Sequence, residues 1–193
     1  MVTKMKKQID FYFDVVSPYS YVASKLIEDV EQRSNAEFLW KPFLLGGVFK
    51  AVESISAPGL VPVKKPYLIK DLQRLSKHYG IPLRMPPDFP VRTVLAMRAL
   101  RGMSQEKIPE AAHILFHAYW SDNLDIADPK ILATLIGQEA VENAGMQEVK
   151  DSLFQTTQEA VKRGAFGAPT FFVDDEMFFG HDRLILLENY LRK

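Results

Sequence analysis

The sequence predicts an α/β protein in which both ends of the chain share one β-sheet and an all-helical block interrupts it. Three observations lead to this prediction. The chain opens with a strand–helix–strand pattern, continues through a stretch of purely helical periodicity, and closes with a strand–strand–helix pattern. The chain has 193 residues, of which 47% are hydrophobic, so it can bury a substantial core around such a sheet.

The opening unit is predicted to be β-α-β. Residues Ile9–Val16 are mostly aromatic and branched, which is typical of a buried strand. Pro18 then lies near the first turn of a helix, where proline is tolerated, and apolar residues recur at helical spacing as far as Val30. Ala36–Pro42 has the pattern of a second strand. A crossover of this kind places its two strands parallel in the sheet.

The middle of the chain is predicted to be a loop followed by helices. Leu44–Pro66 is rich in glycine and proline and has no sustained period, and long loops within compact domains are usually functional or mobile. Helical periodicity begins at Tyr67 and stops at Gly80. Four further helical stretches follow: Val91–Met103, Lys107–Trp120, Pro129–Glu142 and Gln147–Arg163. We therefore predict a helical insertion domain over residues 61–159.

The closing unit returns to strands. Thr170–Val173 and Glu176–Phe179 flank two aspartates, a pattern that indicates a hairpin, and Asp182–Leu191 follows as a last helix. Residues 1–60 and 160–193 are therefore predicted to form one discontinuous α/β domain around the insertion.

The composition excludes several classes of function. Lysine plus arginine and aspartate plus glutamate both number 24, so the balanced charge predicts neither a nucleic acid nor an anionic membrane as partner. The sequence has no secretion-type leader pattern and no apolar run that would span a membrane, which predicts a cytoplasmic protein. The absence of cysteine excludes disulfides, thiolate metal sites and catalysis by a protein thiol.

Ser17 is the first candidate for chemistry, because it follows a predicted strand and precedes a predicted helix. A hydroxyl at this place can cap the helix. It can also donate a hydrogen bond to an anion held beside the helix amides and the positive end of the helix dipole. The sequence leaves both interpretations open.

Two further candidates lie near the C-terminus. In the stretch GAFGAPT, Pro169 comes directly before a strand, so either the strand starts there or the Ala168–Pro169 bond is cis, which would expose the Ala168 backbone to an extended ligand. His181 and Asp182 open the last helix. Asp182 is either a helix cap or the acceptor for an ammonium or amide group of a ligand.

No metal site is predicted. His113 and His117 lie one helical turn apart, a spacing that can bind zinc, but the sequence lacks an evident third ligand and the intervening glutamate of the metalloprotease motif. Packing in the core or on the surface is the preferred interpretation of both histidines.

Two long motifs together resemble a known family. The stretches DFYFDVVSPYSYVASKL and GAFGAPTFFVDDEMFFGHDRLILLE are similar to those of the bacterial 2-hydroxychromene-2-carboxylate isomerases and their relatives, the kappa-class glutathione transferases. Weaker similarity runs through LLGGVFKAV, KKPYLIKDLQRL and YGIPLRMPPDFP. The resemblance implies a thioredoxin-like domain with a helical insertion, as in the disulfide oxidoreductase DsbA. Where DsbA carries C-x-x-C, this chain carries Ser17-Pro18-Tyr19-Ser20.

The resemblance also implies a glutathione site. Ser17 would donate to the glutathione sulfur and favour its thiolate, and the Ala168 backbone, before a cis Pro169, would pair with the cysteinyl part. His181 and Asp182 would hold the γ-glutamyl end, with histidine in place of the more usual Asn or Ser. Lys64 would approach from the long loop, where Ser54, within Glu53–Ser56, is the nearest counterpart of the family's asparagine.

The reaction implied is interconversion of 2-hydroxychromene-2-carboxylate and trans-o-hydroxybenzylidenepyruvate in aromatic catabolism. Glutathione would serve as the catalytic nucleophile and be regenerated. The insertion would help to position the substrate, with Tyr119 and Trp120 either lining an aromatic-acid pocket or packing in the core. The alternatives are a glutathione transferase or peroxidase and a non-catalytic thioredoxin-like binding protein. The resemblance further implies a homodimer.

Overall fold

A computed structural model describes residues 6–54 and 60–192. Within these residues one mixed sheet has the strand order β2-β1-β3-β4. Its strands are β1 (Lys7–Phe13), β2 (Ala36–Pro42), β3 (Thr170–Val173) and β4 (Glu176–Phe179). β1 pairs parallel with β2, whereas β3 is antiparallel to both β1 and β4. The prediction that both ends of the chain share one sheet is confirmed, because β1 from the start pairs directly with β3 from the end.

Helices surround this sheet and supply the long middle of the chain. In the described residues they are α1 (Pro18–Ser34), α2 (Leu45–Ala51), α3 (Lys65–Tyr79), α4 (Val94–Arg101), α5 (Ile108–Trp120), α6 (Pro129–Ile136), α7 (Gln138–Asn143), α8 (Gln147–Lys162) and α9 (Leu184–Leu191). A short 3₁₀ turn, His181–Arg183, precedes α9. None of the helices in the described part of the chain combines the length and the apolarity needed to cross a membrane.

The prediction of a loop over Leu44–Pro66 is wrong at its start, where α2 forms. The sequence did not predict this helix because positions 46 and 47 are glycines, and glycine is a poor helix former. Tertiary contacts compensate: the backbone N–H of Leu44 donates to Thr157 Oγ1 at 3.0 Å, and that of Leu45 donates to Asp14 Oδ2 at 3.0 Å. Residues 55–59 of the predicted loop lie outside the described residues.

The predicted helix Pro129–Glu142 is two helices, α6 and α7. The break falls at Gly137, whose φ of 93° lies in the region that side-chain-bearing residues rarely adopt. The beginning is as predicted, because Asp128 accepts a hydrogen bond from the Lys130 backbone at 2.7 Å and Pro129 occupies the first turn.

A continuous hydrophobic core joins the sheet to the helical block. The Phe11 ring stacks between those of Phe13 and Phe171, with ring centroids 5.1 Å away on either side. The Phe13 ring in turn packs against that of Phe116 in α5, with ring centroids 5.7 Å apart. The helices therefore pack against the sheet through the same core that holds the strands together. The division into residues 1–60 with 160–193 and residues 61–159 stays a prediction.

Candidate active site

A cavity of about 870 Å³ opens where the C-terminal end of β1 meets α1, α2 and the segment before α4. A volume of this size accommodates small-molecule ligands. Of the seven site residues that the sequence predicts, six line this cavity: Ser17, Ser54, Lys64, Ala168, His181 and Asp182. The seventh, Pro169, is bonded to Ala168. Residues far apart in the chain thus meet at one place.

Ser17 lies at the N-terminus of α1 and uses its hydroxyl in two ways. Its Oγ accepts a hydrogen bond from the Ser20 backbone N–H at 3.1 Å, as an N-cap does. Its O–H donates to the Ala168 carbonyl at 3.0 Å. The side chain is almost fully buried, with 3% exposed. The structure therefore shows Ser17 as a helix cap whose hydroxyl hydrogen is donated to Ala168, in a residue that lines the cavity.

The segment opposite Ser17 carries the Ala168–Pro169 bond, which is cis. The Pro169 carbonyl accepts from the Gly180 N–H at 3.0 Å, so this segment is fixed to the turn that holds His181. Gly167 lies against the ring of Phe179: a Cβ there would come within 2.7 Å of the ring's Cε2. The close approach explains the glycine at this position.

The His181 ring packs against an aromatic ring in the first turn of α1. Its ring stacks on that of Tyr19, with centroids 5.4 Å apart and planes 4° apart. The Tyr19 hydroxyl donates to Asp71 Oδ2 at 3.0 Å, which ties α1 to α3. Burial lowers the pKa of His181, against the opposing effect of Asp182 and Asp71. Burial, followed by the hydrogen bond to Asp71, raises the pKa of Tyr19. Both rings are therefore favoured in their neutral forms.

Asp182 and Lys64 bring opposite charges to the cavity. The Asp182 carboxylate is half exposed and lies 2.6 Å from the guanidinium of Arg183. Lys64 precedes α3 and is exposed, as is Ser54 on the segment after α2. A carboxylate and a cation are thus available for ligand groups of opposite charge.

Asp14, which sequence reasoning did not single out, lies at the floor of the cavity and joins three segments. It accepts hydrogen bonds from the Val16 N–H at 3.1 Å, the Leu45 N–H at 3.0 Å and the Thr93 hydroxyl at 3.1 Å. Burial raises the pKa of its carboxyl to about 6, although the three hydrogen bonds oppose that shift. The signal in the sequence was an aspartate inside an otherwise apolar strand end, where an acid has to find partners.

The helical block contributes further lining residues that no local pattern indicated, among them Asp71, Phe89 and Arg92. The suggested aromatic pocket from Tyr119 and Trp120 is not formed by them. Both are core residues with at most 1% exposed, and the Trp120 indole N–H donates to the Val15 carbonyl at 2.8 Å. The core interpretation of these two side chains is confirmed.

Among residues 6–54 and 60–192, no group of three or more His, Asp or Glu side chains is placed to hold a metal ion. His113 packs edge-on against Trp40 at 5.0 Å, and burial, helped by the charge of Lys25, lowers its pKa to about 4. His117 lies 3.6 Å from Asp122 near the surface. The packing interpretation of the two histidines agrees with these contacts.

The sheet order and the helix that starts at the end of β1 define a thioredoxin-like protein with a helical insertion. The chain belongs to the DSBA-like thioredoxin domain family, whose model matches residues 8–192. This confirms the fold predicted from the sequence motifs, in a chain without the cysteines of a thiol oxidoreductase.

The relatives fall into the two groups that the motifs resemble. Human glutathione S-transferase kappa 1 is 31% identical over 208 residues, covering 97% of this chain and 92% of its own. The 2-hydroxychromene-2-carboxylate isomerase of Sphingobium xenophagum is 31% identical over 198 residues, covering 97% and 99%. A solved 2-hydroxychromene-2-carboxylate isomerase superposes with a TM-score of 0.85 at 26% identity, covering 96% and 94%. The resemblance is confirmed, and these relatives are enzymes by name.

Proposed function

We propose that the protein is a glutathione-dependent isomerase of the 2-hydroxychromene-2-carboxylate type, in which Ser17 activates the glutathione thiol. The observation that carries the proposal is the meeting of Ser17, Ala168 and Asp182 in one cavity at the start of α1. The chain has no thiol of its own, so the thiol at this site must come from a ligand. The named activity of the Sphingobium xenophagum relative agrees with an isomerase, and the name of the human relative agrees with the use of glutathione.

The residues present fit the chemical groups of glutathione. Asp182 can accept from the γ-glutamyl ammonium and Lys64 can pair with a carboxylate. We assign the Ala168 backbone and the Ser17 hydroxyl to the cysteinyl part, with Ser54 and His181 completing the lining. Bound glutathione would supply a thiolate that adds reversibly to a conjugated carbon and is regenerated.

The task of Ser17 is to stabilise negative charge on sulfur. A free thiol has a pKa of about 8.5 and is mostly protonated at neutral pH. A hydroxyl donor and the positive end of a helix dipole both favour the anion. To donate to sulfur, the Ser17 hydrogen must leave the Ala168 carbonyl, and this exchange frees that carbonyl to accept a peptide N–H.

Titration of glutathione into the wild type, Ser17→Ala and Ser17→Thr, followed by thiolate ultraviolet absorbance at neutral pH, tests the proposal. We expect a thiolate signal with the wild type and Ser17→Thr and none with Ser17→Ala. Binding of the protonated thiol to all three proteins would overturn it and leave Ser17 as a helix cap. Failure of the wild type to bind would favour the non-catalytic binding protein.

The second candidate is a kappa-class-like transferase or peroxidase, which the equal identity to human glutathione S-transferase kappa 1 favours. It uses the same site but consumes glutathione. Measuring free thiol during turnover separates the two, because an isomerase leaves the glutathione concentration constant.

A homodimer in the cytoplasm, acting on a small aromatic electrophile, is part of the main proposal. Light scattering and cell fractionation test the assembly and the location.

A further inference from the structure

The cavity has a polar part and an apolar part, which suggests two different occupants. Ser17, Asp71, His181 and Asp182 are grouped where α1, α3 and the turn before α9 meet. The rest of the lining is dominated by aliphatic and aromatic side chains from α2, α3 and the segment before α4: Leu44, Leu45, Phe49, Leu68, Phe89 and Val91. A tripeptide such as glutathione suits the polar part, whereas an aromatic electrophile suits the apolar part.

Arg92 is the only charged residue in the lining segment 89–94, whose other members are Phe89, Pro90, Val91, Thr93 and Val94. Its side chain is exposed to solvent and forms no ion pair with any carboxylate in residues 6–54 and 60–192. None of the three aspartates that line the same cavity pairs with Arg92. Asp14 accepts three hydrogen bonds, Asp71 accepts from Tyr19, and Asp182 pairs with Arg183.

The backbone that carries Arg92 is fixed on both sides. Thr93 donates to the buried Asp14 carboxylate at 3.1 Å, and the Val91 N–H donates to the Tyr119 hydroxyl at 3.4 Å. The Phe89 ring packs against Trp120 at 5.6 Å. A guanidinium on such a segment can meet a carboxylate with two parallel hydrogen bonds, and the backbone that carries it is already ordered.

From this geometry we propose that Arg92 is a specificity-determining residue that binds the carboxylate of the electrophilic substrate while its aromatic part lies on the apolar wall. The inference rests on the proposed function and deepens it. The second substrate is an aromatic acid, and neutral electrophiles of the same shape are disfavoured. An analogue without the carboxylate would lose the charge-assisted hydrogen bonds to the guanidinium, so discrimination comes from the pairing gained with the acid.

The test compares trans-benzylidenepyruvate with its methyl ester as acceptors. Addition of the glutathione S–H across the carbon–carbon double bond removes the enone absorbance in both cases. We expect Arg92→Gln to lower kcat/KM for the acid by about 10- to 100-fold. The kcat/KM for the ester should change by less than about 3-fold, because the ester has no carboxylate for Arg92 to bind. Lys130→Gln, which removes an exposed positive charge on α6, is the matched control and should leave both values unchanged.

Equal losses for acid and ester would overturn the inference. So would an effect confined to the KM for glutathione, because Arg92 would then serve the tripeptide. Thermal unfolding of Arg92→Gln and the control shows whether both variants are folded. A separate measurement needs no turnover: calorimetric binding of trans-cinnamate against trans-cinnamamide. The wild type should prefer the acid and Arg92→Gln should not.

The two proposals fail in distinguishable ways. If the wild type gives no thiolate signal and turns over neither acceptor, the proposed function fails, and the cinnamate comparison still decides the role of Arg92. If thiolate forms but the acid and the amide bind equally to both proteins, the function stands and the role of Arg92 is wrong.

Discussion

The hydroxyl of Ser17 donates a 3.0 Å hydrogen bond to the carbonyl of Ala168, which lies 151 residues later in the chain. Each of the two groups is therefore the other's partner in this structure. A ligand that takes the Ser17 hydrogen leaves the Ala168 carbonyl free, and a ligand N–H can then replace it. Both groups are nearly buried, so loss of either partner without replacement destabilises the site.

Ser17→Ala should destabilise the protein by about 1–2 kcal/mol, because α1 loses its N-cap and the Ala168 carbonyl loses its donor. Urea denaturation measures this in the absence of any ligand. Ser17→Thr keeps a hydroxyl that can make both hydrogen bonds and should lie closer to the wild type. An unchanged midpoint for Ser17→Ala would contradict the role of the hydroxyl in the fold.

Asp182→Asn should weaken the binding of glutathione by about 10-fold, since an amide replaces the carboxylate proposed to meet the ammonium. Calorimetry with glutathione and with N-acetylglutathione isolates the contact. The wild type should prefer the free amine, and the variant should lose most of that preference. If the variant weakens both ligands equally, Asp182 does not contact the ammonium. Asp151→Asn, on the exposed face of α8, is the control.

Gly167→Ala should destabilise the protein by about 1–3 kcal/mol, because the new Cβ would lie 2.7 Å from Phe179 Cε2 and the ring would have to move. Gly46→Ala is the matched control: nothing lies within 4 Å of a Cβ there, and alanine favours the helix. In Phe179→Leu the aromatic ring that the new Cβ would meet is absent, so Gly167→Ala should destabilise the protein less in that background. Additive effects in the double variant would exclude this contact as the cause.

Asp14 should make the free energy of unfolding depend on pH between about 4 and 6. Its pKa is about 6 in the folded protein, against an ordinary value of 3.8, so the folded state holds the proton more tightly. The stability from this group is thus fully present below about pH 4 and is lost as pH rises through about 6.

The check on Asp14 is denaturation of the wild type and Asp14→Asn at a series of pH values. The variant is less stable throughout, because an amide N–H₂ would face the Leu45 N–H or the Thr93 hydroxyl. Its deficit should shrink as pH rises from about 4 to about 6, since only the wild type loses stability from this titration. A constant difference across the range would mean that the carboxyl titrates normally.

The sequence predicted the parts of the site that are coded locally. Ser17 before Pro18 marks the start of a helix, and Pro169 before an apolar run marks the start of a strand, so local rules suffice for both. Their meeting in one site was implied by the resemblance, within a sheet that both ends of the chain were predicted to share. The resemblance carried by the two long motifs added the proposed γ-glutamyl contacts of His181 and Asp182.

Other features depend on tertiary packing and had no local signal. Arg92 and Asp71 lie in the helical block, where a charged residue has the pattern of an ordinary solvated side chain. Their place in the cavity is set by the way α3 and the segment before α4 pack on α1. Helix α2 was not predicted for a similar reason. Its glycines disfavour a helix, and the hydrogen bonds from its first residues to Thr157 and Asp14 depend on the tertiary fold.

The pairing of β1 with β3 also bears on how the protein is made. During synthesis the first β-α-β unit emerges long before Phe171, so one edge of β1 has no partner until nearly the whole chain has left the ribosome. Contacts of such long separation form late, and an open strand edge can pair with other chains in the meantime. A product truncated before residue 168 would thus carry Ser17 without its carbonyl partner. It would be an inactive polypeptide prone to aggregation.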